Sequence, residues 1–190
     1  MRKTILFIVL LMLISCAKKT YIKEVVENKK VYITYREIFN DKFYNLNIPI
    51  QFNLNLNSSK ILRIMPYYET NGHQMTIVED YIIINGENNK EIYGFDTFQP
   101  YHYPKTIYVV ERKRKVSQNE VLDLIKKYNP SASIANLETK NDTIFLTSYS
   151  KYRKDNPKFL EDMRKQPDSL ILSMWFGGED KRLEKVKINW

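Results

Sequence analysis

The stretch IPIQFNLNLN, residues 48–57, constrains this chain more than any other. Ile48, Ile50, Phe52, Leu54 and Leu56 share one parity, and Gln51, Asn53, Asn55 and Asn57 take the other. Successive side chains of a strand point to opposite faces, so the alternation describes a strand with one buried and one wet face. Pro49 places it at a strand start or a sheet edge. The apolar face needs a second layer to cover it, and an antiparallel sheet solvated on one side is the usual setting.

Short segments of the same kind surround it. VYITYREIF (31–39), KILRIMPYY (60–68), MTIVEDYIII (75–84), KEIYGF (90–95) and TIYVVERK (106–113) are rich in β-branched and aromatic residues. A hairpin turn is expected at Asn85-Gly86. Six short strands between residues 30 and 115 predict a compact antiparallel β-sandwich-like unit, immunoglobulin-like by analogy of architecture only, since no Cys…Trp…Cys signature accompanies it.

The pattern changes at Ser117. SQNE reads as a capping box with Ser117 as N-cap and Glu120 at N3, and Val121, Leu122, Ile125 and Tyr128 follow on one helical face. Pro130 stops the helix. SIANLE and DTIFLTSY follow as strands, then a helix in DNPKFLEDMRKQP, then SLILSMWF and RLEKVKINW joined by GGED. At an offset of 38 residues Leu122 aligns with Leu160, Asp123 with Glu161 and Ile125 with Met163. The fold class is therefore α+β, mostly antiparallel β. The sandwich-like unit spans 30–115, and an α+β unit over 116–190 reads as a doubled helix–strand–strand repeat with both helices on one face. A hinge is expected near Lys115 to Ser117, and whether the two units share one core stays open.

The N-terminus carries the one local signal of destination. Arg2 and Lys3 precede an unbroken apolar run from Ile5 to Ile14, then Ser15 and Cys16, the single cysteine of 190 residues. A positive start, a short apolar run and a small residue before the cut are marks of a secretory signal over residues 1–15. Ten residues rise about 15 Å as a helix, half of a ~30 Å hydrocarbon core.

Leu13-Ile14-Ser15-Cys16 resembles the bacterial lipoprotein lipobox. The resemblance covers the first 16 residues only, and Ile14 is a less usual choice at its position. It implies a diacylglyceryl thioether on Cys16, cleavage before it, and acylation of the new N-terminus with palmitate-class chains. Ala17, in place of the aspartate that retains lipoproteins in the inner membrane, implies the outer membrane. Lys18 and Lys19, in place of an acidic cluster, imply a periplasm-facing rather than surface-exposed protein. Residues 16–29 read as a tether. With Cys16 modified the mature chain has no intramolecular disulfide, so its fold rests on its core.

The formal net charge is +8, and +6 without Arg2 and Lys3. That balance suits anionic head groups or an acidic partner. A nucleic-acid role does not fit an envelope protein. The densest basic run is Arg112, Lys113, Arg114 and Lys115, read as a basic patch or as a solvated strand end.

Catalytic signals are sparse. His73 and His102, 29 residues apart, match no metal-ligand spacing, so neither a metal nor a cofactor is expected. SYSK (148–151) fits S-x-x-K, but that chemistry needs the serine at a helix start, and here it reads as a strand end. The loop YGFDTFQPYHYP (93–104) carries Tyr93, Phe95, Phe98, Tyr101, His102 and Tyr103, with prolines at 100 and 104. Such rings serve as binding hot spots or as a plug for the sandwich. DTI (142–144) and DSL (168–170) resemble acceptor motifs for envelope O-glycosylation.

Taken together, these features predict a lipid-anchored envelope protein with a non-catalytic binding or scaffolding role and a protein partner in the envelope. Two other readings stand beside it. One is an envelope enzyme acting on cell-wall or glycan substrates, with His102 and acids gathered by folding. The other is an accessory subunit of an envelope complex.

Overall fold

The computed structural model describes residues 20–26, 29–38, 41–57, 60–111, 114–139 and 142–190. Strand 48–57 sets the frame as expected. Ile48, Ile50, Phe52, Leu54 and Leu56 are all buried, while Asn53 and Asn55 are exposed. Gln51 departs from the wet face and is buried.

The chain reaches this strand without leaving its extended path. Strand β3 (Asp41–Asn47) runs through Ile48 directly into β4 (Pro49–Leu54). Two strands run antiparallel beside it: β9 (Thr106–Glu111) pairs with β4, and β10 (Lys115–Val116) pairs with β3. The Leu46 amide donates to the Arg114 carbonyl at 2.9 Å between them. The β3–β4 segment therefore passes through two sheets and joins them.

The first sheet holds, in order, β1 (Ile22–Val25), β4, β9, β7 (Tyr81–Asn85) and β8 (Glu91–Ile92). The second holds β10, β3, β2 (Lys30–Ile38) and β11 (Thr143–Ser148). The third holds β13 (Asp180–Lys187), β12 (Asp168–Gly177), β5 (Arg63–Thr70) and β6 (His73–Gln74). All these pairings are antiparallel, so the fold is α+β and mostly antiparallel β, as expected.

The capping box forms as read. The Ser117 hydroxyl accepts from the Glu120 amide at 3.3 Å, and the Glu120 carboxylate accepts from the Ser117 amide at 2.7 Å. Helix α1 (Gln118–Tyr128) buries Val121 and Ile125. Leu122 lies exposed instead of on that stripe. The second helix is two. Helix α2 (Tyr149–Asp155) ends at Asn156, and α3 (Pro157–Arg164) starts immediately after it. Pro157 supplies no amide to continue the first helix but fits the first turn of the next. Tyr149 and Tyr152 of α2 are buried, and Tyr152 meets Tyr128 of α1 at 6.0 Å between ring centroids. Among the described residues no helix is long and apolar enough to cross a membrane.

Three expectations change. The doubled helix–strand–strand unit does not assemble as one sheet. SIANLE is a 3-10 turn at Ile134–Asn136, β11 joins β2, and β12–β13 join β5. Leu122 is exposed where its aligned counterpart Leu160 is buried, so the two helices do not present equivalent faces. The boundary near Lys115 does not separate one core from another, because a single buried cluster holds Phe52 and Tyr68 together with Leu170, Leu172 and Trp190. The tether is shorter than 16–29: Tyr21 and Ile22 are buried, and Ile22–Val25 is strand β1, paired with β4.

Candidate functional site

The aromatic loop 93–104 connects β8 to β9 and divides its rings between two jobs. A 3-10 turn at Phe95–Thr97 turns Phe95 inward. Phe95 and Tyr103 are buried and stacked at 6.4 Å, with Phe98 half-buried at 5.8 Å from Phe95. Asn57 fixes this half of the loop: its Nδ2 donates to the Tyr103 carbonyl and its Oδ1 accepts from the Tyr103 amide, both at 2.8 Å. Burial holds the Tyr103 hydroxyl pKa above the usual tyrosine value. These three rings plug the fold.

The other three face outward. Tyr93, Tyr101 and His102 are exposed. The His102 Nδ1 lies 3.1 Å from the Pro100 carbonyl oxygen, within its own turn. Tyr101 has φ +69°, and Val78 has φ +76°. Positive φ strains any residue with a Cβ, a β-branched one most of all, and such strain clusters at functional sites. Tyr93 borders a cleft of about 260 Å³ lined by Arg63, Met65, Tyr67, Ile77 and Asp96.

Met65 and Tyr67 extend this region onto the outer face of the third sheet. Odd-numbered residues of β5, β12 and β13 share this face, exposed or half-buried except Ser169, and the register places them in rows. Trp175 sits between Arg63 and Lys181, Ser173 between Met65 and Leu183, Ile171 between Tyr67 and Lys185, and Ser169 between Glu69 and Lys187. Leu183 is 74 % exposed and Trp175 37 %. The result is an apolar centre with a largely cationic border; the carboxylate in these rows, Glu69, is paired with Lys185. Sequence reasoning missed this face. Its signal was the odd positions of DKRLEKVK, which put Leu183 among lysines.

The basic run 112–115 does not form the patch expected of it in its described half. Arg112 and Lys113 lie outside the described residues. Arg114 turns inward: it pairs with Glu111 at 2.5 Å, and its guanidinium lies 5.3 Å from the rings of both Phe159 and Trp190. Lys115 is exposed with its Nζ 4.3 Å from the Phe43 ring. Cys16 and the rest of the lipobox also lie outside the described residues.

Arg114 belongs to a buried polar group at the end of the third sheet. Asp168 accepts from the Trp190 indole Nε1 at 2.8 Å. The Thr70 and Tyr68 hydroxyls approach the same carboxyl without closing regular hydrogen bonds. Burial raises the Asp168 pKa above the usual carboxylate value, and the Glu111 charge adds to it. Burial and then the Asp168 charge push the Tyr68 hydroxyl well above the usual tyrosine value.

A carboxyl with a raised native pKa holds its proton to higher pH when folded than when unfolded. Its contribution to stability is therefore fullest below the ordinary carboxylate range and is lost as pH rises through the raised value. Asp168→Asn keeps an acceptor for Trp190 and removes the charge. Urea midpoints of wild type should fall as pH rises from the ordinary carboxylate value through the raised one, and the variant should lose much of that fall. Equal pH slopes in the two proteins would count against the assignment.

Other sequence signals resolve as follows. Ser148 does stand at a helix start, contrary to the strand-end reading: its Oγ accepts from the Lys151 amide at 3.3 Å as the cap of α2. Lys151 Nζ, however, pairs with Asp155 at 3.1 Å, so the amine is directed along the helix. Among the described residues no group of His, Cys, Asp or Glu could hold a metal ion. Ser169 of DSL is buried in mid-sheet, whereas Thr143 of DTI is exposed at the start of β11. The chain matches no protein-family model, no curated protein and no solved structure.

Proposed function

We propose that the protein is a lipid-anchored envelope protein whose folded part is a non-catalytic binding or scaffolding domain. The observation that carries this reading is the run Leu13-Ile14-Ser15-Cys16 after a positive start and a short apolar segment. Ala17 and the lysines after it favour the outer membrane and its periplasmic side.

The geometry of the loop supports a binding role over an enzymatic one. His102, the histidine that an acid would have to activate, is exposed and held against Pro100. Tyr101 is kept at φ +69° with half its surface in solvent, a position that glycine would fill at lower conformational cost. Tyr93, Tyr101 and Val78 each leave apolar surface exposed that an envelope protein partner could cover.

Cys16→Ala tests the anchor. Metabolic labelling with palmitate should disappear, and the precursor should persist at its larger size. A variant that still matures to the wild-type size and stays with the membranes would rule the anchor out.

A further inference from the structure

The chain leaves for its anchor at the β13 edge of the third sheet, where it contacts even-numbered residues of the side opposite the outer face. The Tyr21 amide donates to both oxygens of the Glu184 carboxylate at 3.1 Å, and the Tyr21 ring lies 6.0 Å from that of Phe176. Glu184 is on β13, the edge strand of the third sheet. Thr20 is exposed next to it, and Cys16 is four residues earlier. Four extended residues reach at most about 14 Å. A lipid on Cys16 therefore brings the bilayer surface to the β13 edge, not to a distant point on a long leash.

What that edge presents is matched to such a surface. Trp175 and Leu183 stand exposed, with Met65, Tyr67 and Ile171 in the adjoining rows. Arg63, Lys181, Lys185 and Lys187 surround them, against Glu69 in the same rows and Glu179 exposed in the adjoining β12–β13 turn. Asp96 lies at the far rim, and Asp180 is held by Arg182. Lys18 and Lys19 lie between the fold and Cys16. Indole rings prefer the head-group region, aliphatic side chains enter the acyl boundary, and lysines pair with anionic head groups. Lysines on an edge strand also discourage strand-to-strand aggregation, but that purpose does not explain Leu183 standing exposed in their midst.

We propose that this face docks flat on an anionic phospholipid surface, so that the anchor and the sheet together fix the orientation of the domain on the membrane. The inference rests on the lipid-anchor reading of Cys16. It leaves the Tyr101 side of the aromatic loop for a protein partner.

The chain carries its own probe. It has two tryptophans: Trp175 on this face and Trp190, 1 % exposed in the core. The lipidated full-length protein would be reconstituted into phosphatidylcholine vesicles with or without phosphatidylglycerol. Emission would then be quenched by brominated lipids, with Trp175→Phe to subtract Trp190. Trp175 emission should shift to the blue and be quenched in the vesicles containing phosphatidylglycerol, and much less in those without it. The double change Lys181→Glu with Leu183→Glu should abolish the quenching while the protein still floats with the vesicles. An unchanged thermal melt establishes that this variant is folded.

A protein that floats with the vesicles but leaves Trp175 unquenched, or quenched alike in both lipid mixtures, overturns the docking face and leaves it to a protein partner. A protein that does not float at all overturns the anchor reading, and the docking proposal with it.

Discussion

Trp190→Ala should lower the melting temperature by on the order of 10 °C, although it alters only the last residue of the sequence. The indole is buried and donates to Asp168 at 2.8 Å. The Trp190 carbonyl accepts from Arg164 Nε at 2.6 Å, and the Arg114 guanidinium covers the ring at 5.3 Å. Truncating a buried tryptophan costs about 3–5 kcal/mol, and a domain of this size shifts by about 2–4 °C per kcal/mol. Asp168 would lose its charge-stabilising donor as well, in a buried site where water does not replace it. The measurement is a calorimetric melt. A shift of one or two degrees would mean that the ring is not a core element.

The second large effect separates two tyrosines that lie close together in one loop. Tyr103→Ala should cost about 3–5 kcal/mol, since it removes the ring stacked on Phe95 and loosens the segment clasped by Asn57. Tyr101→Ala should stay within about 0.5 kcal/mol of wild type, because an exposed ring contributes little to the fold. Tyr103 is 4 % exposed and Tyr101 52 %, which decides the contrast. Recovery of the proposed envelope partner should respond in the opposite order, with Tyr101→Ala weakening it in a protein that melts normally. Chemical denaturation beside a crosslinked pull-down reads both. Equal destabilisation by the two changes would remove the division of the loop into plug and surface.

Those two residues also mark how far local pattern reaches. The alternation of 48–57, the capping box at Ser117 and the hairpin at Gly177-Gly178 were legible because each is decided within a few residues. The partners of the strands were not. β5 pairs with β12 about a hundred residues away, and neither segment carries a local mark of the other. The split of α2 from α3 at Asn156-Pro157 was available in principle, since a proline there fits a helix start better than a helix interior. Tyr101 and Tyr103 could not be sorted from composition. Their fates depend on the irregular backbone between Pro100 and Pro104 and on Asn57, which comes from a different strand region. The exposed face of the third sheet escaped notice for a related reason. Its rows become neighbours only once three strands from distant stretches of the chain lie side by side.

The pairing of β5 with β12 sets a timetable for the nascent chain. A polypeptide appearing N-terminus first can close β2 on β3 and β4 on β9, because those partners arrive early. It holds β5 with only the two-residue β6 beside it until β12 emerges, and β1, already paired with β4, gains the Asn189 amide on Glu24 at 2.7 Å only when the last strand is out. Long-range pairings of this kind form slowly, because loop closure precedes any gain from contact. An incomplete chain therefore carries the edge of β5 that β12 later fills without its ladder partner. Its vulnerability to proteases and to self-association is concentrated in the interval before β12 and β13 are released.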